Sequence, residues 1–392
     1  MATSSLLSLP HSSASFATHF HSLHSSFLSH SSHSPSSLFI PLRACAGDSG
    51  PNDASKQIEI VYDPRSKFEQ LAGELVNPRR NLTLFSPCKI NVFLRITNKR
   101  ADGYHDLASL FHVVSLGDIL KFSVSPSTTK DSLTTNVRGI PLDDSNLIIK
   151  ALNLFRKKTG SNIYFWIHLD KQVPTGAGLG GGSGNAATAL WAANQLSGNL
   201  VEEKQLQEWS GEIGSDIPFF FSKGAAYCTG RGEIVEDIPP LPLDMPIVLI
   251  KPKEECSTAE VYKHFQLDQA SSIDPRKLLE EILSSGISQD LCINDLESPA
   301  FNVLPSLKAL KERIVISSRG RYQAVFMSGS GSTLVGVGDS EAPQFIYEED
   351  EYRDVFTTEA CFLTRKENEW YQQIIPECSI ELGEKGASEA CR

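Results

Sequence analysis

Residues 174–185, Pro-Thr-Gly-Ala-Gly-Leu-Gly-Gly-Gly-Ser-Gly-Asn, constrain this chain more than any other stretch. Six glycines fall between positions 176 and 184. Ahead of them Ile163, Phe165, Ile167 and Leu169 alternate with Tyr164, Trp166, His168 and Asp170, the period of a half-buried strand. Behind them residues 185–196 are rich in Ala and Leu, which predicts a helix. A flexible linker or an isolated tight turn is the alternative, but linkers are seldom set between such a strand and such a helix. Glycine permits positive φ and close backbone approach, so successive N–H groups can converge on phosphate oxygens. The helix start adds its dipole and its free N–H groups. The segment predicts a phosphate cradle built from Pro174, Thr175, Gly176, Ala177, Gly178, Leu179, Gly180, Gly181, Gly182, Ser183 and Gly184. Ser183 would offer its hydroxyl to phosphate or to Mg²⁺. No Gly-Lys-Ser/Thr follows, so this is not a Walker A loop, and the spacing of a dinucleotide fingerprint is absent too.

Around this loop the chain mixes strands and helices without a regular βαβ rhythm, which predicts an α+β architecture. Strands are expected at 82–97 and at 113–124, the second broken by a turn at Gly117-Asp118. Leu147, Ile148, Ala151, Leu154 and Phe155 predict a helix over 147–157, and a charged helix is expected at 202–213. Proline-rich residues 238–246 mark a boundary, followed by a strand at 247–251. A second glycine loop, Ser328-Gly-Ser-Gly-Ser332, lies between strand-like stretches at 322–326 and 333–338. The expected division is a linker at 46–80, a first domain at 81–245, a second at 246–372 and a polar tail at 373–392.

Residues 1–47 hold no acid, a single basic residue (Arg43), abundant serine and six of the chain's ten histidines. Serine enrichment without acids describes an organelle transit peptide. The absence of regularly spaced arginines favours the chloroplast stroma, with processing near 43–46 and a leader of about 45 residues. The histidines lack ligand-like spacing, which argues against a metal-binding tail. Net charge is −11 and no Lys/Arg run stands out, so nucleic-acid binding is disfavoured. No apolar run reaches membrane-span length. Eight cysteines without CxxC spacing predict free thiols in a reducing compartment, with Cys88 a buried strand residue.

Four further features carry chemistry. Gly214-Ser-Asp216-Ile-Pro-Phe sets a carboxylate between a small-residue turn and an apolar run. Alone it is an ordinary turn residue. Lys89 and Asn91 stand two apart in an expected strand, so they share a face. Lys99-Arg-Ala-Asp-Gly-Tyr-His105 places a turn before Tyr104 and His105. The Ser328–Ser332 loop taken alone could be a plain hairpin turn.

In order and content the four features and the glycine loop resemble the GHMP kinase superfamily, over roughly residues 82–338. Lys89-Ile-Asn-Val-Phe-Leu, the Lys99–His105 segment, Gly178-Leu-Gly-Gly-Gly-Ser183, Gly214-Ser-Asp-Ile-Pro-Phe219 and Asn294-Asp-Leu-Glu297 are similar to one branch of it. That branch acts on 4-diphosphocytidyl-2-C-methyl-D-erythritol. The resemblance implies a two-domain fold with the active site in the cleft between domains, ATP and Mg²⁺ as cofactors, and phosphorylation of a hydroxyl of that small-molecule substrate. It implies that Asp216 is the catalytic acid/base and Lys89 its partner, and that 174–184 hold ATP with Lys171 on the nucleotide side. Tyr104 and His105 would hold the cytosine, and Tyr262, after Thr258, would be a second stacking aromatic. Asn91, Thr258, Gly329 and Gly331 would complete the substrate site. Gly184 stands where the family often carries a second serine, which touches a secondary hydroxyl contact but not the backbone cradle. The Asp-Gly-Tyr-His segment argues against a homoserine or mevalonate kinase. Asp216 and Lys89 together argue against a non-catalytic ATP sensor.

Overall fold

In the computed structural model a long antiparallel hairpin of β1 (Asn81–Lys99) and β2 (His105–Val124) forms the spine. The structure describes residues 80–127 and 129–373. The expected leader, nearly all of the linker and all but the first residue of the tail lie outside the described residues. Pro87 has no N–H to give a ladder, and there the pairing slips from Pro87↔Gly117 to Cys88↔Val114. The turn expected at Gly117-Asp118 is therefore a bulge inside one continuous strand. Gly117 is required by close approach: a Cβ there would lie 2.5 Å from the Phe85 ring and 2.6 Å from the Ser86 carbonyl.

On its other edge β2 pairs with two partners. Its second half meets β4 (Phe165–Asp170), which takes β3 (Ser132–Thr135) in parallel. Its first half meets β5 (Ala225–Gly230), which pairs with β6 (Ile234–Asp237). A second sheet runs β10-β7-β9-β8, from Phe356–Ala360, Ile247–Lys251, Leu334–Val337 and Ala324–Met327. The helices are α1 (Leu147–Thr159), α2 (Gly181–Leu196), α3 (Glu203–Ser210), α4 (Thr258–His264), α5 (Pro275–Ser285), α6 (Glu297–Val303), α7 (Pro305–Ser318) and α8 (Phe345–Glu348). The α+β expectation holds, and every strand of the first sheet precedes the proline-rich stretch that every strand of the second follows.

The chain then returns across that boundary. Leu363 and Ser115 give backbone N–H bonds to Val113 and Cys361, closing the stretch of β2 between its two partners. Trp370 and Tyr371 pack into the core under α1 and α2, and the Trp370 indole N–H reaches the Phe85 carbonyl at 3.0 Å. Phe219 and Phe220 are fully buried in the same core, each contributing roughly 1.5–3 kcal/mol. α1 carries an Asn146 N-cap and ends on left-handed Gly160. In β4 the strict alternation fails at His168, which is buried because β3 lies beside it and brings Thr134 Oγ1 within 2.9 Å of its Nδ1. Among the described residues the cysteines are free thiols, and Cys88 is fully buried, with burial and the Asp118 charge pushing its thiol up.

His112, fully buried on β2, predicts an acid sensitivity. Its Nε2 accepts from the Leu241 N–H at 3.2 Å, so Nδ1 carries the proton toward the Val113 carbonyl at 3.0 Å. Burial pulls the imidazole down from 6.5 to about 4. An unfolded chain takes up this proton near pH 6.5 and the folded chain does not, so stability is full above 6.5 and falls as pH drops toward 4. The loss from this group is about 3 kcal/mol. An NMR titration of the folded protein should place the His112 midpoint near 4; a midpoint near 6.5 would remove this contribution.

Candidate active site

The glycine segment leaves β4 and crosses β1 before α2 begins. Gly176, Gly178 and Gly180 have φ of +57°, +73° and +65°, values that ordinary side chains resist. The helix starts at Gly181, four residues before the expected Asn185, and Gly180 caps it without a side chain. Gly184 faces the core, where a Cβ would overlap the Pro87 carbonyl and crowd Phe220. Amides of the first helical turn have no intrahelical acceptor, so those of Gly181, Gly182 and Ser183 are available to an anion.

A buried node that no local motif marks ties the two ends of this loop together. Asp118, fully buried, accepts from Lys171 Nζ at 2.7 Å, from the backbone of Gln172 and Val173 at 2.7 and 2.8 Å, and from Asn185 Nδ2 at 3.0 Å. Asn185 Oδ1 in turn accepts from Ser86 Oγ at 2.8 Å. A buried carboxylate with this many donors stays satisfied, and here it clamps residues 171–173 against 185. Lys171 thus spends its charge on Asp118 while its Nζ lies 3.4 Å from where a Gly181 Cβ would stand. Upstream, Thr175 donates to Glu255 Oε1 at 2.7 Å.

The second glycine loop docks on the first. Ser328 Oγ donates to the Gly178 carbonyl at 3.0 Å and Thr333 N–H to that of Ala177 at 3.2 Å. Asn294 holds the carbonyls of Met327 and Gly329, both at 2.8 Å. Thr258, at the start of α4, shares a 2.8 Å bond with Ser330.

β1 passes beneath both loops. Its backbone N–H at Lys89 donates to the Leu179 carbonyl at 2.9 Å. Lys89 and Asn91 do share a face: Lys89 Nζ donates to Asn91 Oδ1 at 2.5 Å. The same ammonium lies 3.4 Å from Asp216 Oδ2 and 4.3 Å from the Phe111 ring centroid. Lys89 is buried, whereas the Asp216 side chain is 32% exposed and opens to the cavity. Across the site His105 lies 5.3 Å from the Tyr262 ring and 5.6 Å edge-on to Phe265, a contact that no sequence signal announced. Burial, then the Lys99 charge, pulls the His105 imidazole down, so near pH 7 it is neutral with one donor and one acceptor nitrogen. Burial, then the Asp216 charge, pushes the Tyr262 hydroxyl up. Tyr104 beside them is 59% exposed.

These groups line one cavity of about 1310 Å³. It takes in Lys89, Asn91, Tyr104, His105, Lys171, the loop from Pro174 through Ser183, Asp216, Thr258, Tyr262 and Gly329. Gly184 and Gly331 do not line it; a Cβ on Gly331 would point at Met327 and Cys256. Among the described residues Asp216 is the one carboxylate in the lining. The arrangement can therefore cradle an anion on backbone amides, hold a base beside a fixed cation, and stack a planar ring at its far end.

The description "GHMP kinases N terminal domain" matches residues 146–224, the stretch from the α1 cap through the loop to Gly224. A protein of Solanum lycopersicum named 4-diphosphocytidyl-2-C-methyl-D-erythritol kinase, chloroplastic/chromoplastic, is 68% identical over 335 residues, 85% of this chain and 84% of its own length. A 4-diphosphocytidyl-2-C-methyl-D-erythritol kinase of Protochlamydia amoebophila is 45% identical over 77% of this chain and 96% of its own. The crystal structure of a 4-(cytidine 5'-diphospho)-2C-methyl-D-erythritol kinase superposes with a TM-score of 0.55 at 29% identity, covering 71% of this chain and 99% of that one. With this loop, this Lys–Asp pair and such relatives across most of its length, the chain belongs to the 4-diphosphocytidyl-2-C-methyl-D-erythritol kinase family of the GHMP kinases.

Proposed function

We propose that this chain transfers the γ-phosphoryl group of ATP to the 2-hydroxyl of 4-diphosphocytidyl-2-C-methyl-D-erythritol, in the chloroplast stroma, on the methylerythritol phosphate route to isoprenoid precursors. The observation that carries the reading is Asp216, the one cavity carboxylate among the described residues, held 3.4 Å from buried Lys89 beside the glycine loop. The plant relatives named chloroplastic and the acid-free leader support the compartment. Residues 81–245 supply the phosphate loop in this reading and residues 246–372 close over it through the Ser328–Ser332 loop.

Phosphoryl transfer needs positioning and charge stabilisation more than covalent help. The amides of 176–183 bind the phosphate oxygens and align the γ-phosphorus with the acceptor. As the acceptor oxygen bonds to phosphorus and the bond to the ADP oxygen breaks, Asp216 takes the hydroxyl proton. Lys89 holds Asp216 in place and faces the charge that develops on the transferring group. His105, between Tyr262 and Phe265, hydrogen-bonds the cytosine, and Tyr104 covers it. Mg²⁺ suits this cavity: it commonly takes one or two protein oxygens plus substrate phosphates, and Ser183 would offer such an oxygen at the loop. When bound, it neutralises charge on the β- and γ-phosphates.

The test is ADP release by the chain starting near residue 46, with ATP, Mg²⁺ and one acceptor at a time. Release is expected with 4-diphosphocytidyl-2-C-methyl-D-erythritol and not with homoserine, mevalonate or galactose. Release with one of those instead would keep the fold and overturn the substrate.

A further inference from the structure

Among the described residues five cations line the cavity, Lys89, Lys99, Lys171, Arg231 and Lys263, against the one carboxylate of Asp216, in a chain whose net charge is −11. Four of them are placed away from the middle of the site or committed elsewhere. Lys89 faces Asp216 and Asn91, and Lys171 faces Asp118. Lys263 lies 3.6 Å from Glu260 on its own helix, and Lys99 pairs across the hairpin with His105, at the outer end.

Arg231 is paired as well, with Glu233 at 3.4 Å, but through Nε alone, and the Asp102 charge lies near it. It sits at the tip of the β5–β6 turn between Gly230 and Gly232, at φ +70° and +119°. The turn is closed by a 3.1 Å bond from Gly232 N–H to the Thr229 carbonyl. Glu233 accepts the Arg231 backbone N–H at 2.6 Å and approaches its Nε at 3.4 Å, so the carboxylate braces the root of the side chain. The two terminal guanidinium nitrogens have no hydrogen bond among the described residues. On one side the guanidinium carbon is 5.5 Å from the Tyr104 ring centroid. On the other, a Cβ on the next residue, Gly232, would stand 3.1 Å from Asp216 Oδ1. Arg231 therefore spans the interval between the base-binding aromatics and the reacting carboxylate.

We infer that Arg231 is a specificity-determining residue that reads the diphosphate bridge of the acceptor substrate, an inference that rests on the function proposed above. An acceptor with its cytosine at His105 and its reacting hydroxyl at Asp216 must lay the joining diphosphate between them. In the function proposed above the glycine loop and the start of α2 are taken by the phosphates of ATP. A planar guanidinium whose two terminal nitrogens form one free edge matches two phosphate oxygens at once, which an ammonium does not. Stacking on Tyr104 links recognition of the base to recognition of the bridge.

The experiment compares wild type with Arg231→Gln and Arg231→Lys in two ways. In steady state, Arg231→Gln should raise KM for the diphosphocytidyl acceptor roughly ten- to a hundredfold, with a smaller change in kcat and an unchanged KM for ATP. Arg231→Lys should recover part of the loss. Calorimetry with the ATP site filled by a non-hydrolysable analogue should show wild type binding CDP more tightly than cytidine, and Arg231→Gln binding both alike. An unchanged acceptor KM, or a rise in both substrates' KM together, overturns the inference. A wild type that turns over another alcohol defeats the function proposed, and the CDP-against-cytidine comparison then still decides whether Arg231 binds a diphosphate. If wild type shows no preference for CDP, the inference fails on its own.

Discussion

Asp216→Asn should lower kcat by about 10²–10⁴-fold while leaving the affinity for an ATP analogue close to wild type. The amide keeps the size and one hydrogen-bond acceptor of the carboxylate but cannot take the proton of the acceptor hydroxyl. No second carboxylate lines the cavity among the described residues, so no neighbour can substitute. Nucleotide affinity should survive because the loop proposed to hold the phosphates would do so through backbone amides, and it is braced by Asp118 and Ser328, not by Asp216. Lys89, left buried without its counter-charge at 3.4 Å, still has Asn91 Oδ1 at 2.5 Å, so the fold should persist. Wild-type turnover in this variant would remove Asp216 from the role of base.

The second large effect belongs to Gly178. Its φ of +73° alone would cost an alanine roughly 1–2 kcal/mol. A Cβ there would also overlap the Ser328 carbonyl and lie 2.8 Å from that of Gly331. Those atoms are backbone of the second glycine loop, so the clash cannot be relieved by a side-chain rotation. Gly178→Ala should separate the loops, break the Ser328–Gly178 bond and cost a further 1–3 kcal/mol, about what overpacking a tight site costs. The KM for ATP should rise at least about tenfold, because the amides of 176–183 lose their common focus. Gly182→Ala is the control: a Cβ there meets nothing nearer than Leu147 at 3.6 Å, and stability should stay near wild type. Equal ATP KM values for Gly178→Ala and wild type would show that the contact between the loops does not shape the phosphate site.

Much of this was legible because period-two and glycine signals are local. Lys89 and Asn91 meet because a strand returns every second side chain to one face. The loop is where its glycines required it, between a strand and a helix. The helix start was hidden because four glycines and a serine in five positions have weak helix propensity, and packing of Gly184 against the Pro87 carbonyl overrides it. Gly117-Asp118 has turn composition, yet both residues serve long-range contacts: the glycine admits Phe85 and the aspartate collects donors from 171–173 and 185. Nothing within a few residues of position 118 encodes partners more than fifty residues away. Asp216 and Tyr262 were ambiguous singly for the same reason, and their neighbours Lys89 and His105 lie more than a hundred residues earlier in the chain. Phe265 and Arg231 belong to no motif; topology alone carries them to the cavity.

Phosphorus NMR of a reaction holding the enzyme, ATP, Mg²⁺ and 4-diphosphocytidyl-2-C-methyl-D-erythritol shows where the phosphoryl group goes. A new phosphomonoester resonance should grow with ADP, on the carbon bearing the 2-hydroxyl, while the acceptor's diphosphate resonances keep their intensity. ADP accompanied by inorganic phosphate alone, or a phosphoryl group added to the diphosphate, would contradict transfer to that hydroxyl.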